Sequence, residues 1–273
     1  MLPDFVTAVE SNKGEYCGVA LAAIELRKVA FHSGKEAILK EVSLSLELGQ
    51  RLVLVGPSGA GKSVLLKLMA GLLEPTEGQI LIFGKSLQEA SEAERETLSL
   101  RMGMLFQRNA LFDSLTVAEN VAFPLREVKA FNEVEIAQKV EFFLQAVGLE
   151  SAAHLFPSEI SGGMQKRLGI ARALALNPEI LLYDDPTAGL DPITSRKIVD
   201  LICQLQEQNR SSLVAVTNEM ARAYQLADQL ALVQGGGVLV AGSVEQTRQH
   251  SDPRIQQFIK GQLKGPLTPE EES

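Results

Sequence analysis

The 273-residue sequence has no tryptophan, only two cysteines and three histidines, and just 5% aromatic residues. So few aromatic side chains argue against a surface that stacks bases or sugars. Cys17 and Cys203 are too few and too far apart for a disulfide framework or a zinc cluster, so we interpret both as reduced thiols of a cytosolic chain. His32, His154 and His250 lack metal-ligand spacing, and we predict that none of them binds a metal.

Basic residues are also in deficit, since 26 Lys and Arg stand against 34 Asp and Glu and give a formal net charge of -8. A protein that binds nucleic acid by neutralising phosphates carries the opposite sign, so we predict no nucleic-acid partner. No run reaches the ~18 apolar residues of a membrane helix, and residues 1–20 lack the basic start of a secretory signal. The 45% hydrophobic content still supports a sizeable core, and any membrane role is expected to be peripheral.

A glycine-rich loop between a predicted strand and a predicted helix is the strongest chemical signal. Residues 56–63 match the pattern G-x-x-x-x-G-K-S in full. Gly59 and Gly61 let backbone amides turn inward around an anion at a helix N-terminus. Lys62 adds charge toward the outer phosphates, and the Ser63 hydroxyl is placed to bind Mg²⁺. The predicted phosphate-binding residues are Gly56, Pro57, Ser58, Gly59, Ala60, Gly61, Lys62 and Ser63.

Two further segments fit the same chemistry. Asp184 directly follows a buried apolar run, and it supplies the carboxylate that a P-loop needs, in addition to the Ser63 hydroxyl, to bind Mg²⁺. Ser161, Gly162 and Gly163 open a predicted helix and so form a second anion-binding N-terminus. Because one chain cannot easily use both N-termini on one nucleotide, the sequence predicts a dimer.

Apolar runs that alternate with helical patterns predict an α/β fold. Residues 51–55, 180–183 and 213–217 are interpreted as buried parallel strands, whereas 42–48 and the hairpin at 230–241 are interpreted as antiparallel strands. We predict a single domain over residues 1–273 with a P-loop NTPase (RecA-like) core and an antiparallel β edge. Its predicted parts are a core at 20–87 and 176–243, a helical insertion at 88–175 and a C-terminal extension at 244–273.

The P-loop, Gln107, residues 161–165, Asp184 and residues 188–191 occur in the order that resembles the nucleotide-binding subunits of ABC transporters. The resemblance covers roughly residues 24–267. It implies an ATPase that binds ATP and Mg²⁺ in a head-to-tail homodimer. The conformational change of this dimer is then transmitted to an integral membrane permease.

The same resemblance implies roles for individual residues. Phe31 is expected to stack on adenine, and Gln107 to sense Mg²⁺ and the transmembrane partner. Ser161, Gly162 and Gly163 are expected to cap the γ-phosphate across the dimer. Asp191 is then the residue that crosses the dimer interface.

Finer features resemble the Mla-type phospholipid transport ATPases, the MlaF family. They lie at 104–107, 110–117, 119–126, 189–195, 252–254, 257–258 and 265–266. This resemblance implies a peripheral subunit on the cytoplasmic face of the bacterial inner membrane. It also implies a permease, a periplasmic MCE lipid-binding protein and a small regulatory subunit as partners, and phospholipid transport that maintains outer-membrane lipid asymmetry.

Two segments allow alternative interpretations. The apolar residues of 111–125 fit equally a satisfied core and a docking groove for a partner helix. Ile255, Phe258, Ile259 and Leu263 predict a short amphipathic helix, which packs either on its own domain or on the neighbouring subunit.

Two positions depart from the ABC pattern. Asp185 stands where the family places the Glu that orients the attacking water, and Asn218 stands where it usually has a His at the γ-phosphate. Moving a carboxylate by one methylene can cost about 10²-fold in rate, and Asn cannot be cationic. Either the two residues compensate for each other in a working ATPase, or binding is intact and hydrolysis is slow.

Other functions stay open as alternatives. One is an ATP-gated assembly module with weak or absent hydrolysis, which the two departures favour. Another is the ATPase of a transporter for a different solute. A soluble ABC protein of translation or DNA repair is disfavoured by the single cassette and the acidic charge.

Overall fold

The computed structural model describes residues 22–268 except residue 108. The strands are β1 (Ala22–Ser33), β2 (Glu36–Glu47), β3 (Arg51–Val55), β4 (Glu77–Ile82), β5 (Lys85–Ser86), β6 (Met102–Leu105), β7 (Ile180–Asp184), β8 (Ser212–Val216), β9 (Gln229–Gln234) and β10 (Gly237–Gly242). The helices are α1 (Lys62–Met69), α2 (Glu92–Leu100), α3 (Val117–Glu127), α4 (Glu133–Ala146), α5 (Gly162–Leu174), α6 (Pro192–Asn209), α7 (Met220–Leu226), α8 (Val244–Arg248) and α9 (Pro253–Lys260). Cys203 is a free, half-buried thiol, whereas Cys17 lies outside the described residues.

A six-stranded sheet in the order β10-β9-β3-β8-β7-β6 forms the centre of the fold. The pairs β9–β3, β3–β8, β8–β7 and β7–β6 are parallel, and β10 joins the edge as an antiparallel hairpin strand. β7 and β8 are buried along their whole length, because both faces of the sheet are covered. The predicted α/β class and its three buried parallel strands are confirmed.

A second sheet, in the order β2-β1-β4-β5, is entirely antiparallel. Most of the antiparallel strands therefore form a sheet of their own, whereas we predicted an edge of the parallel sheet. Leu52 and Leu54 of β3 pack toward this second sheet and α1, in one hydrophobic cluster. The amide of Lys40 donates to the carbonyl of Gly236 at 2.7 Å and links the two sheets outside that core.

The opposite face of the six-stranded sheet carries most of the helices. Val53 and Val55 point to this side, as expected from the alternation along a strand, and join a cluster with residues of α3, α4, α5 and α6. α2 lies elsewhere, since its Leu98 is buried in the cluster of the antiparallel sheet. The long helical stretch therefore runs from α3 to α5.

The predicted boundary of the helical insertion differs from the structure at β6. Residues 102–105 fall inside the range 88–175, yet they pair in parallel with β7 at the edge of the central sheet. Helix α5 lies directly on β6. A side chain at Gly103 would collide with the carbonyl of Ala173, and one at Gly169 would meet Leu105 Cδ1 at 2.5 Å. The two glycines permit this close approach of helix and strand.

The C-terminal extension packs on its own domain. Ile255 of α9 is buried in the helical cluster, and Phe258 and Ile259 pack against it. The side chain of Gln257 then fixes the segment that follows by donating to Gln262 O and Thr268 Oγ1 and accepting from the amide of Leu267. Within residues 22–268, no helix is both long and apolar enough to cross a bilayer.

Candidate nucleotide-binding site

The P-loop connects the carboxyl end of β3 to the N-terminus of α1. Gly56, Gly59 and Gly61 all adopt positive φ, at 148°, 77° and 95°. A side chain at Gly56 would collide with the carbonyl of Val233 in β9, so this position has no room for a Cβ. α1 begins at Lys62 without a side-chain cap, which leaves its first amides available to an anion.

Lys62 lies inside the loop and is only 6% exposed. Its Nζ donates to the carbonyls of Gly56 at 2.8 Å and Pro57 at 2.7 Å, which holds the ammonium against the loop backbone. Burial lowers the pKa of Lys62, and the carboxylates of Asp185 and Asp184 oppose that shift by favouring the charged form. The lysine is thus a positioned cation beside two acids.

The structure brings together two of the three residues predicted for Mg²⁺, Ser63 and Asp184, whereas no contact joins the Gln107 side chain to them among the described residues. The Ser63 hydroxyl donates to Asp184 Oδ1 at 3.0 Å, across 121 residues of sequence. Asp184 is the last residue of β7 and is buried. A hydroxyl and a carboxylate oxygen held this close are hard oxygen ligands of the kind that Mg²⁺ prefers.

Asp185 and Asn218 lie at the same edge of the central sheet. Asp185 follows β7 in a left-handed conformation with φ 47°, and its amide donates to Val216 O at 3.0 Å. Burial raises the pKa of its carboxyl, and Lys166 is the charge that counteracts this most strongly. Asn218 is exposed two residues beyond the end of β8. The carboxyl ends of neighbouring parallel strands thus carry Asp184, Asp185 and Asn218.

Ser161 to Gly163 and Asp191 lie at two other helix starts. Ser161 is exposed and accepts from the amide of Met164 at 3.3 Å as the N-cap of α5. Asp191 caps α6 by accepting from the amides of Ile193 and Thr194. A side chain at Gly163 would reach Thr194 Cγ2 at 3.0 Å, so the two helix starts are neighbours.

Among the described residues, no hydrogen bond or ion pair joins these helix starts to the P-loop. Phe31 lies on β1, half-buried and opposite Leu39 of β2.

The loop after β6 contains Gln107, whose side chain is exposed while its backbone is tightly held. Lys166 Nζ donates to Gln107 O at 2.7 Å. Arg172 donates to Asn109 O at 3.2 Å and to Ala110 O at 2.6 Å. Both cations belong to α5, so this helix holds the loop through hydrogen bonds to the loop's backbone carbonyls.

Sequence reasoning missed these contacts of α5. A glycine in the helix, Gly169, was the available local sign of close packing, but the loop that Lys166 and Arg172 hold is about 60 residues away in the chain.

Residues 111–125, beside this loop, contain both buried core residues and an exposed aromatic pair. Val117, Val121 and Leu125 are fully buried core residues. Phe112 and Phe123 are 39% and 37% exposed and touch with ring centroids 4.4 Å apart. Most of the apolar residues are therefore satisfied core, and one aromatic pair faces solvent.

Comparison with known proteins identifies the class. Residues 39–188 match the family model described as ABC transporter. The chain therefore belongs to the ABC transporter family. It is the ATP-binding subunit of an ABC transporter, and it is an ATPase. Cassettes of this family dimerise and pair with membrane permease subunits.

Three known proteins place the chain within that family. It is 39% identical, over 89% of its length and 92% of the relative, to the intermembrane phospholipid transport system ATP-binding protein MlaF of Haemophilus influenzae. It is also 39% identical, over 92% of its length and 72% of the relative, to the probable ribonucleotide transport ATP-binding protein mkl of Mycobacterium leprae. The dimeric ATP-binding cassette MJ0796, solved in a post-hydrolysis state with ADP and Pi, superimposes with a TM-score of 0.72 at 33% identity, covering 79% of this chain and 96% of that one.

Proposed function

We propose that this subunit hydrolyses Mg-ATP in a head-to-tail homodimer and thereby drives phospholipid transport between bacterial membranes. The observation that carries the ATPase part is the contact of the Ser63 hydroxyl with Asp184 at 3.0 Å. It unites the two halves of a Mg²⁺ site from separate elements, with Lys62 beside the same carboxylates. The relative from Haemophilus influenzae, which is matched over 92% of its length, supports phospholipid as the transported solute.

Within one subunit, the P-loop and the carboxylates form the first half of the pocket. The amides of residues 56–63 and the Lys62 ammonium bind the phosphates, and Phe31 stacks on adenine. Ser63, Asp184 and Gln107 hold Mg²⁺, which when bound neutralises phosphate charge. Asp185 accepts a hydrogen bond from the attacking water, and burial makes its carboxylate a stronger base than an exposed one. Asn218 donates an amide hydrogen to the γ-phosphate.

The second half of the pocket comes from the other subunit. Ser161 to Gly163 present an exposed helix N-terminus to the γ-phosphate, and Asp191 lies beside them at the interface. The first turns of α2, α3 and α4 each carry a glutamate, whereas those of α1 and α5 carry no acidic residue. The first turns of these two helices thus contain no carboxylate of their own that would repel phosphate.

The proposed assembly is peripheral, on the cytoplasmic face of the inner membrane. We assign the exposed pair Phe112 and Phe123, which adjoins the Gln107 loop, as the surface that meets a helix of the permease. A periplasmic MCE lipid-binding protein and a small regulatory subunit complete the assembly.

Purification of the subunit with its permease tests the solute. The complex is reconstituted in liposomes, and ATP hydrolysis and transfer of labelled phospholipid are measured together. We expect transfer that needs both ATP and an intact Lys62. Hydrolysis that is stimulated by a different solute, with no lipid moved, would reject the phospholipid and keep the ATPase.

A second candidate solute follows from the relative in Mycobacterium leprae, whose name refers to ribonucleotide transport. In the same liposomes, uptake of labelled ribonucleotide replaces lipid transfer as the readout. Uptake without lipid transfer would favour this candidate.

A further inference from the structure

One buried cation belongs to none of the motifs described above. Lys166 of α5 is 4% exposed, and a lysine is rarely buried this deeply. Its Nζ donates a hydrogen bond to the carbonyl of Gln107 at 2.7 Å. The side chain therefore runs from α5 to the loop that follows β6.

The electrostatic environment of Lys166 points to the reacting centre. Burial lowers the pKa of Lys166, and the charges that favour its ammonium are Asp185 first and Asp184 second. The relation is mutual, because Lys166 is the largest opposing charge on Asp185, ahead of Lys62. A buried ammonium is costly, and the hydrogen bond to Gln107 together with the charges of these two acids offsets part of that cost.

Lys166 and Ser161 belong to the same helix but face different surroundings. Ser161 lies at the N-terminus of this helix and is exposed, whereas Lys166 lies one turn further and faces the interior. The glycine at 169 lets the same face of α5 approach Leu105 and Asn109. A single helix thus has one end that is open to a second subunit and one side chain that is fixed at the nucleotide site of its own chain.

We propose that Lys166 is a positioning residue for ATP hydrolysis, which holds the backbone of Gln107 from the buried face of α5. It ties α5, and with it Ser161, to the loop of the chain's own nucleotide site. Lys166 makes no contact with phosphate in this assignment and acts through Gln107. The inference rests on the ATPase part of the proposed function and is independent of the solute.

The test replaces Lys166 in the full chain, assembled with its permease. In Lys166→Met the loop loses its anchor, and we expect kcat for ATP hydrolysis to fall about 10- to 100-fold, as for a catalytic group displaced by about 1 Å. The KM for ATP and the Kd for ATP stay within about twofold of wild type, because the phosphate-binding residues are unchanged. Lys166→Arg, which keeps charge and reach, restores most of kcat.

A matched control uses another partly buried lysine of the helical region. Lys139 of α4 lies over the ring of Phe131 at 4.9 Å, and burial lowers its pKa as well. Lys139→Met removes an equivalent ammonium far in sequence from the nucleotide motifs, and we expect kcat to be unchanged. Thermal unfolding of all three variants checks that they fold.

Hydrogen exchange in residues 102–110 supplies a readout that does not need turnover. We expect faster exchange in Lys166→Met than in wild type, and normal exchange in Lys139→Met. Normal kcat or unchanged exchange in a folded Lys166→Met would overturn the assignment. Loss of both kcat and ATP binding would also overturn it, because Lys166 would then be a binding or folding residue. A wild-type complex without ATPase activity would instead reject the proposed function.

Discussion

Helices α1 and α5 both begin at glycine-containing segments, but their N-termini are built differently. α1 follows Gly61 in a left-handed conformation and has no side-chain cap, with Lys62 buried directly behind it. α5 follows Ser161, which caps the amide of Met164 and is exposed. The N-terminus of α1 keeps its first amides available to an anion and has the buried Lys62 beside them. The N-terminus of α5 is capped by its own Ser161 and faces solvent. In the proposed dimer, each pocket combines the first kind of N-terminus from one subunit with the second kind from the other.

The largest expected effect removes the cation of the enclosed N-terminus. In Lys62→Ala we expect ATP binding to fall by at least about 10²-fold, because charge-assisted bonds to phosphate are lost from a buried position. Titration of the purified subunit with a fluorescent ATP analogue measures it. Lys67→Ala, in the last turn of the same helix, is the control and should bind normally. Retained affinity in Lys62→Ala would show that α1 is not the phosphate site.

A smaller effect is expected at the outward-facing N-terminus. Ser161→Asp keeps a good N-cap but places a carboxylate where we assign the partner's γ-phosphate. ATP binding by a single subunit should be unchanged, whereas hydrolysis by the assembled dimer should fall about 10-fold or more through like-charge repulsion.

The control for that variant makes the same charge change elsewhere. Asn132→Asp adds a carboxylate at the exposed N-cap of α4, which also accepts backbone amides. It should leave hydrolysis intact. If Ser161→Asp were equally harmless in a steady-state ATPase assay, Ser161 would be a cap alone and the comparison of the two helices would fail.

The smallest effect concerns Asp185 and Asn218, at the carboxyl ends of β7 and β8. Asp185→Glu combined with Asn218→His restores the residue types of the wider family, and we expect turnover to rise roughly 10-fold through better placement of the attacking water. Single-turnover hydrolysis by the assembled dimer separates chemistry from product release. Unchanged turnover in the double variant would reject a slow site and favour mutual compensation by Asp185 and Asn218.

The central features of the site were predictable because local rules fix them. The P-loop needs glycine at set positions, and its Lys62, Ser63 and flanking β3 follow at fixed spacing. Asp184 was predictable because a buried parallel strand ends directly before it. In each case a few adjacent residues carry the physical requirement.

The contacts that escaped prediction depend on distant segments. Lys166 resembles any helical lysine until α5 is placed on the loop of Gln107. Residues 102–106 carry a strand pattern in the sequence, but they were included in the helical insertion because only the pairing of β6 with β7 places them in the central sheet. Asn120 is buried and donates to the carbonyls of Phe112, Leu115 and Thr116, which its polar residue type did not suggest.

The missing side chains at Gly103 and Gly169 have a mechanical consequence. Because the backbone of α5 lies against Gly103 of β6 and Leu105 lies against Gly169, a side chain at either glycine would push the helix away from the edge strand. Such close packing favours movement of α5 and β6 as one body. In the proposed dimer, a displacement of the exposed start of α5 would then reach the edge of the central sheet directly.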